Sequence, residues 1–294
     1  METHTAPHIW SQYNVVLVTI DSCRFDTLSR AHTPNIDRIA HIRKAETFGL
    51  FTLPAHMSIF CGYPPNVVEA PLEDYYSRER FQIWRLARGK WKNPSTYGLL
   101  LAGATLIEGY RRLGYYALGV GGVRWFLSPL LTNHFDEFCY WGPNDYLDFF
   151  RDRTLNEFAL EHVTEIVDKL RVHKRWLLFV NCIETHAPYD TGIVPLPRDV
   201  RTIIDAARPL WAGKTPPSDL PVSLQDFSVL HEYQVRAAEV VDSRLGQLFR
   251  SLSPPYIVYI CGDHGECFGE DQKWGHGFHH QRVIDVPVAV GFAE

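Results

Sequence analysis

No apolar run in this 294-residue chain approaches the ~20 residues needed to cross a bilayer. The N-terminal Met-Glu-Thr-His-Thr-Ala-Pro lacks the basic start and apolar stretch of a signal peptide. Six cysteines are present (Cys23, Cys61, Cys139, Cys182, Cys261, Cys267), but no two stand in C-x-x-C spacing, and they read as free thiols rather than a disulfide frame. Excess positive charge is also missing. A formal net charge of −5 excludes broad nucleic-acid binding, which needs a basic surface. There is no internal repeat and no low-complexity tract. These absences set the expectations: a cytoplasmic protein, without a membrane span or nucleic-acid partner, acting on a small anionic molecule.

What is present suits a folded enzyme-sized domain. Hydrophobic residues make up 46% of the chain and charged residues 21%, enough apolar sequence for a large core. Asn14 to Ile20 is short, β-branched and continuously apolar, the signature of a buried parallel strand. Tyr115 to Val120, Trp176 to Ile183, Tyr256 to Ile260 and Val286 to Phe292 read as further strands. Thr33 and Pro34 open a short helix, with Thr33 as its cap. Leu106 to Leu113, Leu155 to Leu170 and Leu224 to Leu252 carry helical patterns. Strands alternating with helices predict an α/β fold, a three-layer αβα sandwich around a mostly parallel central sheet. The whole chain, 1–294, is expected to form one domain. Two proline-rich, irregular insertions interrupt it, near 64–101 and 193–221. Arg78, Arg80, Arg85, Arg88, Lys90 and Lys92 form a basic stretch in the first, either a solvated helix face or a rim that attracts an anion.

In such sheets, ligands bind beyond the carboxyl ends of the strands. Acidic and imidazole groups cluster there. Asp21 follows the first strand, Glu184 and His186 follow Trp176 to Ile183, and Asp263-His264 follow Tyr256 to Ile260. His276 comes twelve residues after His264, in a glycine-flanked loop. Carboxylate plus imidazole at a strand end is a way to hold a zinc-like or manganese-like cation. Asp21 reads either as a metal ligand or as a helix N-cap. Thr52, just ahead of Pro54, stands at a helix start, where unpaired N–H groups favour an anion or an ionised hydroxyl. It reads either as a nucleophile or as a cap. Asp26 reads as structural, a cap or a partner of a nearby arginine, and Gly119-Val120-Gly121-Gly122 as either a phosphate cradle or, as isolated glycine clusters usually are, a turn.

Taken together, these pieces resemble the alkaline phosphatase superfamily, in particular its sulfatase-like and phosphoethanolamine-transferase-like branches. The resemblance rests on Asp21, Thr33-Pro34-Asn35-Ile36-Asp37, Thr52-Leu53-Pro54-Ala55-His56 and His186-Ala187-Pro188-Tyr189. It continues through Val241-Asp242, Asp263-His264-Gly265-Glu266, Trp274-Gly275-His276-Gly277 and Asp285-Val286-Pro287, in the family's order along nearly the whole chain. It implies an alkaline-phosphatase-like fold and a metal-dependent hydrolase of phosphate mono- or diesters. In that scheme Asp21, Asp263 and His264 hold one metal, with Thr52 as both ligand and nucleophile. His186 and His276 match positions that bind a second metal or the substrate. Glu184 and His279 are weaker candidates for the outer shell, and Glu266 would orient a ligand. One or two divalent ions are implied, zinc or manganese before calcium given the imidazole content.

Two departures narrow this. Ser22 stands where many sulfatases have a second adjacent acid. Thr52 stands where they have a Cys or Ser that is oxidised to formylglycine, an aldehyde threonine cannot give. Phosphoryl chemistry is therefore favoured. The alternatives are a phosphotransferase using the same Thr52 intermediate, a sulfatase-like hydrolase of sulfate or phosphonate esters, and a catalytically silent binding relative.

Overall fold

Asn14–Ile20 forms β1, the middle strand of a seven-stranded sheet. All but its first residue are buried, because helices cover both faces of the strand and leave no side for polar residues. The computed structural model describes residues 13–62, 84–86, 99–101, 105–143, 150–193, 195–211 and 222–294. After β1 come α1 (Phe25–Arg30), α2 (Pro34–Ile39), β2 (Arg43–Glu46), α3 (Thr52–Cys61), β3 (Trp84–Leu86), β4 (Leu99–Leu101) and α4 (Leu106–Arg112). They are followed by β5 (Tyr116–Gly121), α5 (Pro129–Thr132), β6 (Glu137–Tyr140), α6 (Val163–Arg171), β7 (Trp176–Cys182) and α7 (Arg198–Ala207). The chain ends with α8 (Leu224–Ser251), β8 (Tyr256–Gly262), β9 (Cys267–Phe268), β10 (Trp274–Gly275), α9 (Gln281–Ile284) and β11 (Asp285–Ala293).

The sheet order is β2-β11-β8-β1-β7-β5-β6. Pairings from β8 across to β6 are parallel, and β11 runs antiparallel to both β8 and β2. Two apolar layers enclose it. Val16, Val18 and Ile20 pack with Ala238, Val241, Leu245 and Leu248 of α8 on one face. Val15 and Leu17 pack with Leu53, Met57 and Phe60 of α3 on the other. Each fully buried Val, Leu, Ile or Phe contributes about 1.5–3 kcal/mol relative to exposure. The α/β three-layer arrangement expected above is therefore the one found.

Register brings the chemistry to one edge. Ile20 stands level with Cys182 on one side and Gly262 on the other. Asp21, the residues from Ile183 to His186, and Asp263-His264 therefore leave the sheet at the same height. Gln234 of α8 ties these exits together. Its side-chain amide donates to the carbonyls of Ser22 (2.9 Å) and Thr185 (3.0 Å) and accepts from the Thr27 hydroxyl (2.6 Å).

Several expectations need correction. The helix expected over Leu155 to Leu170 is helical only from Val163. Two short 3-10 turns precede it, separated at Phe158, whose backbone is extended (φ −113°, ψ 123°). Phe158 is fully buried with the Arg244 guanidinium 4.6 Å from its ring centroid, and that anchorage outweighs the helical pattern. Thr33 does not cap α2 with its side chain. The glycine run is not a turn: Gly119 and Gly121 lie inside β5, where a Cβ on Gly119 would collide with the Phe138 ring. The irregular stretch near 193–221 contains α7, with Val200, Ile204 and Ala207 buried. Most of the stretch near 64–101, and with it the basic residues from Arg78 to Lys92 apart from Arg85 in β3, lies outside the described residues, as does 212–221. Among the described residues no helix is long and apolar enough to cross a membrane.

Candidate metal centre

Asp21, Asp263 and His264 meet at that sheet edge, and all three are fully buried. One ligand atom from each lies within 4.8 Å of the others. The backbone aims them. Ser22 adopts a left-handed conformation (φ 58°), unusual for a residue with a side chain, and its N–H reaches Asp263 Oδ1 at 3.0 Å. The His264 N–H donates to the same oxygen at 2.8 Å. Asp263 Oδ2 is thus left buried with no hydrogen-bond partner. His264 donates Nδ1–H to the Gly265 carbonyl (3.0 Å), which puts the lone pair on Nε2, also buried without a partner. The two orphaned atoms are 3.5 Å apart, and His264 Nε2 is 4.0 Å from Asp21 Oδ1.

Burial, reinforced by the charge of Asp263, pushes Asp21 up to about 8. Burial also raises Asp263 to about 7 and lowers His264 to about 4. Buried polar atoms normally have partners. Two carboxylates and a neutral imidazole, with two donor atoms unsatisfied, fit a divalent cation of the zinc or manganese kind.

Thr52 completes the cluster. It is the first helical residue of α3, with Phe51 in the cap position, so it does not cap the helix, and it is 1% exposed. Its hydroxyl donates to Asp21 Oδ2 at 3.3 Å, while Ser22 Oγ donates to Asp21 Oδ1 at 3.0 Å. His276 and His186 stand alongside. Ring centroids are 4.3 Å apart for His264 and His276, and 5.3 Å for His276 and His186. His276 donates Nδ1–H to Glu266 (3.1 Å), and His186 donates Nδ1–H to the Ala187 carbonyl (2.8 Å), so both carry the lone pair on Nε2. Burial lowers His276 to about 3 and holds His186 well below the usual imidazole range. The structure therefore brings together Asp21, Thr52, His186, Asp263, His264 and His276.

No family model matches the chain, and no curated protein matches it. Solved structures do. The C-terminal periplasmic domain of EcEptC from Escherichia coli, in complex with Zn, aligns with a TM-score of 0.60 at 14% identity, over 96% of this chain and 73% of that one. The phosphonate monoester hydrolase of Agrobacterium radiobacter aligns with a TM-score of 0.59 at 17% identity, over 95% and 68%. A protein in the alkaline phosphatase superfamily from Vibrio parahaemolyticus aligns with a TM-score of 0.53 at 13% identity, over 95% and 60%. The fold is that of the alkaline phosphatase superfamily.

Within this alkaline-phosphatase-like fold, other polar residues serve the cluster from outside. Glu266 is fully buried, accepts from the Tyr189 hydroxyl as well as from His276, and is pushed up to about 8 by burial. Arg153 is buried and donates to the carbonyls of Ile183, His186 and Ala187, bracing the loop that carries His186. Glu184 turns away from the cluster into a buried ion pair with Arg244 (2.9 Å). His279 is exposed. Asp26 pairs with Arg24 through two hydrogen bonds of 2.7 and 2.6 Å. The sequence reading gave no role to His56, which is 0% exposed and lies beneath Thr52 with Nδ1 3.7 Å from Asp263 Oδ2. Its place four residues after Thr52 on one helix was the available signal, since i and i+4 share a face.

Proposed function

We propose that this chain is a metal-dependent hydrolase of phosphate esters, mono- or diesters, working through a phospho-Thr52 intermediate. The observation that carries the reading is the Thr52 hydroxyl at the first turn of α3, 3.3 Å from Asp21, which itself lies 4.0 Å from the unpartnered His264 Nε2. A divalent cation held by Asp21, Asp263 and His264 would supply Lewis acidity and lower the pKa of a neighbouring hydroxyl. Thr52 already points its hydrogen at Asp21 Oδ2, the acceptor that unmasks the oxygen for attack. A bond then forms from Thr52 Oγ1 to phosphorus as the ester P–O bond breaks. The first N–H groups of α3 stabilise the non-bridging oxygens. The departing oxygen takes its proton from solvent, and the bare Nε2 of His276, oriented by Glu266, or of His186 then accepts a proton from the attacking water. Water then cleaves the phospho-threonine, and the hydroxyl is restored.

Resolution of the phosphorylated enzyme by an alcohol instead of water would make the same site a phosphotransferase, and product analysis with and without alcohol acceptors separates the two. We also propose a cytoplasmic setting on the strength of the six free thiols; the EcEptC domain that the chain resembles in fold is periplasmic.

The test uses purified protein supplied with zinc or manganese and a panel of aryl phosphate monoesters, diesters and sulfates. Phosphate-ester turnover is expected, with phosphothreonine at position 52 in acid-quenched samples. Thr52→Ala lowers turnover by about 10³-fold or more while retaining the metal. Wild-type turnover in Thr52→Ala would remove Thr52 from the reaction.

A further inference from the structure

We infer that His56 is a positioning residue that holds the Thr52 hydroxyl in register with Asp21, a role that rests on the reading of Thr52 as nucleophile. His56 donates Nδ1–H to the Thr52 carbonyl at 2.7 Å. Its other ring nitrogen, Nε2, lies 2.9 Å from Thr19 Oγ1 on β1, and Thr19 Oγ1 accepts from Asn181 Nδ2 on β7 at 3.1 Å.

The proton count fixes the directions. A carbonyl only accepts, so the single proton of a neutral ring sits on Nδ1. The bare Nε2 then takes the Thr19 hydroxyl proton, and the Thr19 oxygen takes the Asn181 amide proton. Every hydrogen in the chain from Asn181 through Thr19 and His56 to Thr52 has one acceptor.

This chain spans the same gap as the reactive contact. Thr19 is two residues before Asp21, and in a strand residues i and i+2 share a face. One end of the chain is thus fixed to the strand that delivers Asp21, and the other to the first residue of α3. The ring itself cannot drift. Phe60, Phe126 and Phe179 meet it edge-on, with centroids at 5.9, 5.0 and 5.7 Å. These contacts use the flat ring alone, so packing does not require the two nitrogens. They are spent on the helix start and the strand, and a displacement of about 1 Å at a reacting group costs on the order of 10²-fold in rate.

The experiment compares His56→Phe, Thr19→Val and the double variant with wild type and Thr52→Ala. His56→Phe keeps a flat aromatic ring, somewhat larger than imidazole, and removes both hydrogen bonds; Thr19→Val cuts the chain from β1 and leaves the ring in place. Expected for His56→Phe is a fall in kcat of about 10²-fold, with KM within about twofold and metal content unchanged. The double variant falls no further than His56→Phe, because both break one chain. His56→Gln, which restores a side-chain N–H donor, recovers part of the loss. Crystal structures of His56→Phe show Thr52 Oγ1 withdrawn from Asp21 Oδ2, a readout independent of turnover.

Wild-type kcat in His56→Phe, losses that multiply in the double variant, or metal lost together with kcat would each overturn the positioning role. If His56→Phe fails to fold, Thr19→Val alone decides it: an unchanged kcat there overturns the role. Wild-type turnover in Thr52→Ala defeats the nucleophile reading instead, whatever His56 does.

Discussion

Asp21, Asp263 and Glu266 are carboxyls shut away from water, and burial holds them near 8, 7 and 8. An unfolded chain ionises such groups near pH 4. As pH rises between those limits, the unfolded state has released protons that the folded, metal-free protein still binds, so stability falls. His56, His264 and His276 have the opposite sign. Burial depresses them to about 3, 4 and 3, and they cost stability only as pH drops below the ordinary imidazole value of 6.5. The two effects overlap in acid and separate above 6.5, where imidazoles are neutral in both states. Thermal unfolding of EDTA-treated protein should therefore show Tm declining from pH 6.5 to about 8. Saturating zinc or manganese should lessen the decline, because the cation displaces the protons of Asp21 and Asp263. A flat Tm in EDTA across this range would mean the carboxyls are not held protonated by burial.

At the level of elements, caps and edges were the hardest to read. Thr33-Pro34 announces the start of α2, yet the Thr33 hydroxyl goes to Asp37 (3.3 Å). The free N–H groups of α2 are capped from α8: Asp242 accepts from the backbone of Asn35 (3.1 Å) and Ile36 (2.8 Å) and from Asn35 Nδ2 (2.8 Å). A cap 207 residues away leaves no trace in local sequence. Gly246, one turn further along α8, lets Asn35 approach closely, since a Cβ there would collide with its side-chain amide. Asp242→Ala should cost about 1–2 kcal/mol in urea unfolding and Thr33→Ala distinctly less; the reverse order would refute the assignment. The buried strands β1, β7 and β8 were legible because burial on both faces demands an unbroken apolar run. The edge strands β2 (Arg-Lys-Ala-Glu) and β6 (Glu-Phe-Cys-Tyr) were not, because an edge exposed to water carries no such demand.

Across the whole molecule, parallel register converts distance in sequence into proximity. Ile20, Cys182 and Gly262 stand level, so the residues that follow them converge however far apart they are numbered. That is why Asp21, His186, Asp263 and His264 could be picked out as strand-end residues, and why Thr52 could be picked out as a helix start. Residues that act through a partner could not. Glu184 has the same strand-end address as His186, but Arg244 on α8 draws it into the interior. His56 looks like one more helix residue until Thr19 and Asn181 are placed beside it. Gln234 binds two of the exits together from the middle of a 28-residue helix, with nothing in its own segment to mark it.

The proposed function depends on one cation shared between the two ends of the chain. The most direct measurement is an anomalous-difference map from crystals soaked in zinc. The expected peak lies about 2.0–2.3 Å from Asp21, Asp263, His264 Nε2 and Thr52 Oγ1. Zinc bound elsewhere, with Thr52 Oγ1 outside its coordination sphere, would contradict it.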